Sequence, residues 1–153
     1  MDSHITVIQA EFRHINAISN RLRDIDRAEC TAMGRTGKQA LRLGLATSAK
    51  AWTAMVDDRP EAMFGVVVED MLSGLGTPWL LGTDEVYRHG RALLMWGPGF
   101  LERLGDSLPR LSNLVSARNR RAIRLLERWG FTVEEEETMV RGEAFRRFVK
   151  VSG

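Results

Sequence analysis

The side chains of this sequence that most suggest chemistry are its arginines, which number 19 against only three lysines. A guanidinium group presents a rigid fork of N–H donors that matches phosphate or carboxylate, so a local surplus of arginine can mark an anion-binding site. A genome rich in G and C would also write arginine by default. Two clusters favour a local role: Arg88 and Arg91 flank Gly90, and five arginines lie between Arg118 and Arg128.

Other common catalytic and metal-binding signatures are absent from the sequence. The three histidines, His4, His14 and His89, are too scattered to place a metal pair on one helix face. No HExxH, GxSxG, Walker loop or CxxC motif occurs. Cys30 is the only cysteine, which excludes an intrachain disulfide and argues against a zinc site built from cysteines. The sequence therefore predicts no bound metal.

Length and composition predict one soluble domain over residues 1–153. A second domain would leave each part of this 153-residue chain too small to bury a useful core. Hydrophobic residues make up 44% and charged residues 27%, which is typical of a globular protein. No apolar run is long enough to cross a bilayer, and the polar start Met1-Asp2-Ser3-His4 is unlike a secretory signal. We therefore expect a cytoplasmic protein without membrane contacts.

The first half of the chain predicts a strand, two helices and a hairpin. The β-branched run at residues 5–8 is typical of a strand. Apolar residues recur at three- and four-residue steps at Ile15, Ile18, Leu22 and Ile25, which predicts one helix. Gly34 and Gly37 are predicted to end this helix. A second helix is predicted from residue 38 to about 45. Alternation at residues 52–56, turn residues at 57–60 and an apolar run at 63–68 predict the hairpin.

The second half predicts strands separated by two helices. Breaks at Gly74, Gly76 and Pro78 precede a strand at residues 79–81, and helical spacing begins again at residue 91. Gly97-Pro98-Gly99 predicts a kink or two short helices there. A strand at residues 111–115 precedes a helix that opens at Arg118-Asn119 and ends at Gly130. Its apolar face carries Ala122, Leu126 and Trp129, with Ile123 and Leu125 beside them. Strands from residue 131 and at 145–151 complete the order β-α-α-β-β-β-α-β-α-β-β.

Residues 111–131 carry the most specific pattern of the chain. A strand is followed there by N-x-x-A-I-x-L-L-x-x-x-G-F. This segment resembles the fifth strand and fourth helix of the GNAT superfamily of N-acyltransferases. The matching positions are Asn119, Ala122, Ile123, Leu125, Gly130 and Phe131. The resemblance implies a single-domain α/β (α+β) GNAT-like fold with a mixed, mostly antiparallel central sheet.

The GNAT resemblance implies acetyl-CoA, or another acyl-CoA, as the co-substrate. In that family the fourth and fifth strands splay apart, the end of the fourth strand pairs with the pantetheine amides, and the following helix start takes the pyrophosphate. Helix starts attract anions because their N–H groups are free and the helix dipole is positive there. The implied cofactor-binding residues are Leu81, Gly82, Thr83, Arg88, His89, Gly90, Arg91, Ala92, Arg118 and Asn119.

The phosphate-binding loop implied by the resemblance covers residues 84–92 and matches the family only in part. The family pattern is Arg/Gln-x-x-Gly-x-Gly/Ala. Gly90 and Ala92 fit this pattern, whereas Tyr87 stands where arginine or glutamine is expected. Arg88, His89 and Arg91 could supply the positive charge, and a solvated basic turn is the alternative interpretation.

The catalytic groups implied by the resemblance are also incomplete. Many GNAT enzymes carry a tyrosine in the fourth helix that returns a proton to the leaving CoA thiolate, and Leu126 occupies this position here. Tyr87 is the only tyrosine and lies elsewhere in the chain. The candidate general bases are carboxylates that follow the third and fourth strands, Glu69 and Asp84 with their neighbours Asp70 and Glu85. Plain turn residues are the alternative interpretation.

Several further segments resemble the GNAT-like proteins of tailed bacteriophages, a group that includes internal virion protein A and phage acetyltransferases. These segments are residues 22–29, 51–54, 64–66, 76–83 and 111–115. In the first of them, Arg23, Asp26 and Glu29 are spaced by three residues, which predicts ion pairs along one helix face. That helix borders the acceptor cleft of a GNAT fold, so these charges could instead bind an amine or a partner.

Two functions from different classes follow. The first is direct transfer of an acyl group from CoA to an unidentified amine. The second is a degenerate GNAT-fold virion or assembly protein without turnover, whose partners would be phage virion proteins; a homo-oligomer is compatible with both. Nucleic-acid binding ranks below them, because the arginines at 118–128 spread around their helix and the acidic run at 134–137 offsets their charge.

Overall fold

The computed structural model describes residues 4–105 and 107–152, so the polar start Met1-Asp2-Ser3 lies outside the described residues. The helices and strands, in chain order, are β1 (Ile5–Gln9), α1 (Ile15–Ser19), α2 (Asp24–Ala32), α3 (Gly37–Thr47), β2 (Ser48–Val56), β3 (Arg59–Asp70), β4 (Leu75–Gly82), α4 (Asp84–Arg88), α5 (Gly90–Gly105), β5 (Arg110–Ser116), α6 (Arg120–Arg128), β6 (Thr132–Val140) and β7 (Glu143–Val151). A 3-10 turn at Phe12–His14 precedes α1.

The strands form one hydrogen-bonded sheet in the order β1-β2-β3-β4-β5-β7-β6. The pairs β1–β2, β2–β3, β5–β7 and β6–β7 are antiparallel, and β4–β5 is parallel. The predicted α+β fold with a mixed, mostly antiparallel sheet is therefore confirmed. Within residues 4–105 and 107–152, no helix has both the length and the apolar character of a bilayer span.

The chain folds as two compact units. Unit 1 comprises residues 4–67 together with Trp79–His89, and unit 2 comprises Val68–Pro78 together with residues 90–152. Unit 1 therefore contains the first three helices, the first two strands, most of β3, the end of β4 and α4. Unit 2 contains the start of β4, the helices α5 and α6, and the last three strands.

The apolar residues predicted to line one helix instead reach the core of unit 1 from α1 and from the turn that follows it. Ile15, Ile18 and Leu22 are buried in one cluster with Leu41 and Met63. However, α1 ends at Ser19 and α2 begins at Asp24, and between them Leu22 forms an isolated bridge to Thr83. The prediction of a single helix is wrong. Leu22 lies in the turn between α1 and α2 but packs on the same core as α1, so the helical spacing of apolar residues continues through the turn.

The two glycines predicted to end this helical region have different roles. Gly34 follows α2 with a φ of 80°, a conformation that favours glycine at a helix end. Gly37 is instead the first residue of α3, so the prediction fails there. The helix start is a capping box: the Gln39 N–H donates to the Thr36 hydroxyl at 3.1 Å, and the Thr36 N–H donates to the Gln39 side chain at 2.9 Å.

The predicted hairpin is present in unit 1 with a shorter turn than expected. Only Asp57 and Asp58 form the turn, with φ values of 49° and 66°. Positive φ at both central residues gives the turn a twist that matches its flanking strands. Arg59 and Pro60 already belong to β3, where they pair with Val56 and Met55.

The parallel pairing of β4 with β5 in unit 2 is short. The register covers Leu75↔Arg110 and Gly76↔Leu111. Pro78 follows within β4 and has no N–H to donate to a ladder. The side-chain amide of Asn113 donates instead to the Pro78 carbonyl at 2.8 Å. Gly76 and Pro78 thus lie inside a strand that they were predicted to precede, and the proline limits its pairing.

Helix α5 passes through Pro98 as one continuous helix, so of the two predicted alternatives the pair of short helices is wrong and the kink stays a prediction. The indole of Trp129 packs on this helix in unit 2: its Nε1–H donates to the Leu93 carbonyl at 3.1 Å, and a Cβ on Gly97 would collide with the ring. The buried side chains of α6 are Ile123 and Leu125, which were predicted to lie beside the apolar face, whereas Ala122, Leu126 and Trp129 are half-buried.

Candidate active site

The end of β4 in unit 1 is held by the first turn of α2. The Gly82 N–H donates to the Asp26 carboxylate (Oδ2) at 3.0 Å, and the Gly82 carbonyl accepts the Arg23 N–H at 3.1 Å. Arg23 is the N-cap residue of α2 and Asp26 lies three residues later. One helical turn therefore binds the backbone donor and the backbone acceptor of the same strand residue.

The ion pair predicted between Arg23 and Asp26 is confirmed, but it is buried rather than solvent-exposed. The guanidinium lies 3.3 Å from Asp26 Oδ1, and these two side chains are only 8% and 4% exposed. The Arg23 guanidinium also lies over the Tyr87 ring, 3.9 Å from its centroid. The sole tyrosine, which is 6% exposed, is therefore packed in unit 1 as a cation–π partner.

Burial makes Asp26 an unusual carboxylate. It raises the pKa of Asp26 from 3.8 to about 6, and the nearby negative charge of Asp84 adds to the rise. The Arg23 charge and the Gly82 N–H oppose this effect because both favour the ionised carboxylate. Asp26 can therefore change its protonation state close to neutral pH.

A second buried carboxylate, Glu61, holds the residue that follows β4. The Thr83 hydroxyl donates to Glu61 Oε1 at 2.9 Å, and the Thr83 N–H donates to the Glu61 carbonyl at 2.9 Å. Glu61 is fully buried and pairs with Arg21 and with Arg59, whose Nε lies 3.0 Å away. Glu61 is not among the predicted site residues. Its burial could have been inferred from strand alternation, which places Glu61 on the same face of β3 as the buried Met63.

These contacts change the expected role of three cofactor-binding residues. The N–H groups of Gly82 and Thr83 are already bound by Asp26 and by Glu61, so neither is free to pair with a pantetheine amide. Leu81 is half-buried and packs against the unit 1 core. Pantetheine binding by Leu81, Gly82 and Thr83 stays a prediction, in which neither the Gly82 N–H nor the Thr83 N–H takes part.

Residues 84–92, predicted as a phosphate-binding loop, are not a loop. Helix α4 occupies five of these residues, His89 forms the junction, and α5 begins at Gly90. Glu85 pairs with Arg88 at 2.7 Å and lies 3.4 Å from the His89 Nε2, so the cationic side chains of α4 have a counter-charge.

The first turn of α5 in unit 2 retains the features of an anion site. Gly90 has no neighbour within 4 Å of the position that a Cβ would take, so the backbone is accessible there. Arg91 is exposed and forms no ion pair with the described residues, and Ala92 is half-buried. Open space beside Gly90 at the helix start, together with the exposed guanidinium of Arg91, suits a phosphate group.

Arg118 and Asn119 serve the local structure of unit 2. The Arg118 guanidinium donates to both Glu143 oxygens, at 2.9 and 2.6 Å, and Glu143 also accepts the Ser116 hydroxyl at 2.7 Å. The hydrogen bond from Arg118 is the main reason why the pKa of Glu143 lies below its usual value. The side chain of Asn119 caps α6 by accepting the Ala122 N–H at 3.4 Å. The predicted role of Arg118 as a phosphate ligand therefore competes with an existing ion pair.

The two candidate bases lie in different units. Asp84 is exposed at the first position of α4 in unit 1, close enough to Asp26 to raise its pKa. Glu69 is exposed at the end of β3 in unit 2, where it accepts the Thr77 hydroxyl at 2.9 Å. Leu126 supplies no proton at its position in α6. Within residues 4–105 and 107–152, no three His, Cys, Asp or Glu side chains converge as a metal site requires.

Comparison with known proteins relates this chain to acetyltransferases through structure alone. No protein-family model matches the sequence. No curated protein matches it either. Many solved structures do match, and three of them are described next.

The first of these is an acetyltransferase of the GNAT family from Streptococcus pneumoniae, with 14% identity, a TM-score of 0.65, and coverage of 98% of this chain and 100% of the other. The second is a ribosomal L7/L12 α-N-protein acetyltransferase in complex with coenzyme A, with 9% identity, a TM-score of 0.66, and coverage of 97% and 94%. The third is an aminoglycoside acetyltransferase in complex with coenzyme A, with 16% identity, a TM-score of 0.65, and coverage of 97% and 95%.

These similarities extend over nearly the whole of each chain. The fold is therefore that of the GNAT acetyltransferases.

Proposed function

We propose that this chain is an acyl-CoA-dependent N-acyltransferase that acts as a single domain in the cytoplasm. The observation that carries the proposal is the GNAT fold over nearly the full chain, combined with a β4–β5 ladder that stops after two residue pairs. Two of the similar structures contain coenzyme A, and we extend that ligand to this chain. An amine would be the acceptor.

The residues of each unit fit a CoA ligand at specific points. In unit 2 the accessible backbone at Gly90 and the free guanidinium of Arg91 would receive the pyrophosphate. In unit 1 the segment 79–81 of β4 would pair with the pantetheine, since the N–H groups of the two following residues are already bound. Arg88 and His89 would contribute positive charge to the phosphate site only if their ion pairs with Glu85 were broken.

The chemistry required is direct aminolysis of the thioester. The amine nitrogen attacks the carbonyl carbon, the carbon–sulfur bond breaks, and the CoA thiolate leaves. Asp84, which is exposed, is the base that we assign to remove the amine proton in unit 1, and Glu69 is the alternative. Because Leu126 cannot return a proton, the thiolate takes one from solvent. Catalysis would then rest on positioning and on polarisation of the carbonyl by a backbone amide of β4.

A thermal-unfolding titration with acetyl-CoA tests the proposal. Ligand at about 100 times its Kd stabilises the folded state by about 2.7 kcal/mol, which is easily measured as a rise in Tm. Release of free thiol in the presence of a panel of amines, including polyamines, aminoglycosides and peptide N-termini, then tests turnover. The absence of any shift with acetyl-, succinyl- and longer acyl-CoA would contradict the proposal.

The second candidate is the same fold without turnover, serving as an assembly protein such as a phage virion component. It is favoured by departures from the family site: Leu126 replaces the acid, α4 replaces the phosphate loop, and Arg118 is paired with Glu143. Co-purification with virion proteins, together with no thiol release from acyl-CoA for any amine, would support this candidate. Amine-dependent thiol release would exclude it.

A further inference from the structure

Arg23 and Asp26 form a two-point attachment that we call the β4 clamp. Arg23 donates its backbone N–H to the Gly82 carbonyl at 3.1 Å, and Asp26 Oδ2 accepts the Gly82 N–H at 3.0 Å. Both bonds lie among buried groups, where water does not compete for the donors and acceptors. The two hydrogen bonds therefore fix both the position of Gly82 and the directions of its N–H and C=O groups.

The clamp requires a glycine at its strand end. A Cβ on Gly82 would lie 2.9 Å from Val86, 3.1 Å from Ala62 and 3.3 Å from the Glu61 carbonyl. The backbone of β4 thus approaches its neighbours in unit 1 so closely that a side chain at this position would displace Val86. This close approach shows that the position of the strand end is defined by packing as well as by hydrogen bonds.

The carboxylate of Asp26 has a second partner, which distinguishes the clamp from a simple backbone contact. Its Oδ1 lies 3.3 Å from the Arg23 guanidinium, which in turn lies over the Tyr87 ring. A buried guanidinium needs a counter-charge, and Asp26 provides one. The helix start, the strand end and α4 are thereby joined through two side chains, those of Asp26 and Arg23.

We propose that Asp26 is a positioning residue that, through its bond to Gly82, holds the end of β4 in the geometry needed for acyl transfer. This inference rests on the proposed function, in which residues 79–81 of the same strand present backbone groups to the acyl-CoA. Preformed donors are effective only when their distance and direction are fixed before the substrate arrives. Asp26 acts on the reaction through the Gly82 peptide and not by contact with the substrate.

Two substitutions separate the hydrogen bond from the charge. Asp26→Asn keeps an oxygen that accepts the Gly82 N–H and removes the negative charge, whereas Asp26→Ala removes both. Ile18→Val, a buried substitution in the unit 1 core outside the clamp, is the control for a general loss of stability. The measurements are amide exchange of Gly82 by NMR and steady-state kinetics with acetyl-CoA and an accepted amine.

The proposal predicts that Asp26→Ala exposes the Gly82 amide to exchange and lowers kcat/KM on the order of a hundredfold, the penalty expected for a misplaced backbone group. Asp26→Asn is expected to keep the amide protected and to retain most of the activity, and Ile18→Val is expected to behave like the wild type. Equal losses in Asp26→Asn and Asp26→Ala would overturn the proposal, because the charge of Asp26 rather than its bond to Gly82 would then be what the reaction needs. Equal losses in Asp26→Ala and Ile18→Val would overturn it in favour of stability alone.

Failure of the clamp and failure of the proposed function are distinguishable. A rapidly exchanging Gly82 amide in the wild-type chain overturns the clamp, whatever the activity. A protected amide that Asp26→Ala exposes, in a chain that neither binds nor turns over any acyl-CoA, overturns the proposed function and the positioning role, while the hydrogen bond itself is established.

Discussion

The carboxylate of Asp26 and the N–H of Gly82 are 3.0 Å apart, in a contact that joins the first turn of α2 to the last residue of β4. The two residues are 56 positions apart in the chain. The bond is buried, so its acceptor is a carboxylate whose pKa rises from 3.8 to about 6. This pairing gives the protein a titratable group at the strand end, and the pH dependence of stability should report it.

The stability of the wild type relative to Asp26→Asn should fall as the pH rises from about 4 to about 6. The folded chain keeps the Asp26 proton over this range while the unfolded chain loses it, so ionisation favours unfolding. A rise from 3.8 to about 6 is about 2 pKa units, or about 3 kcal/mol at most. Urea unfolding of both chains at several pH values measures the difference. A difference that stays constant with pH would contradict the raised pKa.

His14 should produce the opposite pH dependence. Its Nδ1 accepts the Glu11 N–H at 3.1 Å, so the proton of the neutral ring lies on Nε2, which is buried without a hydrogen-bond partner. Burial and the Arg13 charge lower the pKa of His14 below 6.5, and Glu11 only partly opposes them. Stability should therefore fall as the pH drops below about 6.5.

The His14→Asn variant isolates this effect, because an amide oxygen can replace Nδ1 as the acceptor and does not titrate. Urea unfolding should show the wild type losing stability relative to this variant between pH 7 and pH 5. A wild type that gained relative stability over the same range would show that the folded chain favours the charged ring.

Gly97 and Gly99 flank Pro98 in α5 and form a matched pair for a packing test. A Cβ on Gly97 would collide with the Trp129 indole, whereas Gly99 has no neighbour within 4 Å. Gly97→Ala should destabilise the fold by about 1–3 kcal/mol through overpacking. Gly99→Ala should stabilise it by about 0.5–1 kcal/mol, because alanine loses less backbone entropy in a helix. Thermal or urea unfolding compares them, and equal effects would show that Trp129 does not pack on this helix.

Arg91 should contribute to CoA affinity if the proposed function is correct. Its exposed guanidinium has no ion pair with the described residues, and Arg91→Gln removes its charge. An exposed ionic contact of this kind is worth up to about 1 kcal/mol, so the Kd for acetyl-CoA should rise about two- to fivefold. Arg13→Gln, which removes an exposed arginine paired with Glu11, is the control and should leave the Kd unchanged. Calorimetric titration measures both, and equal effects would point to net charge alone.

The residues matched to the GNAT pattern illustrate how much local sequence can reveal. Asn119 and Gly130 bound α6 as predicted, because a cap and a left-handed glycine act within one turn of the chain. The predicted strands are present for the same reason, since alternation and β-branching are local signals. The predictions were wrong where the spacing of apolar residues continued through a turn between two helices, as at Leu22. They were also wrong where a proline lies inside a strand or a helix, as Pro78 does in β4 and Pro98 in α5.

By itself the sequence determined the order of the strands, the α+β class and the resemblance to the GNAT family, since all of these depend on short-range patterns. Only the tertiary structure decided which polar groups are available for chemistry. Gly82 and Thr83 were predicted as ligands, yet Asp26 and Glu61 bind their N–H groups. Arg118 was predicted to meet phosphate, yet it pairs with Glu143. Each of these partners lies more than 20 residues away in the chain, and a hydrogen bond over such a separation depends on the packing of the elements, which no local pattern specifies.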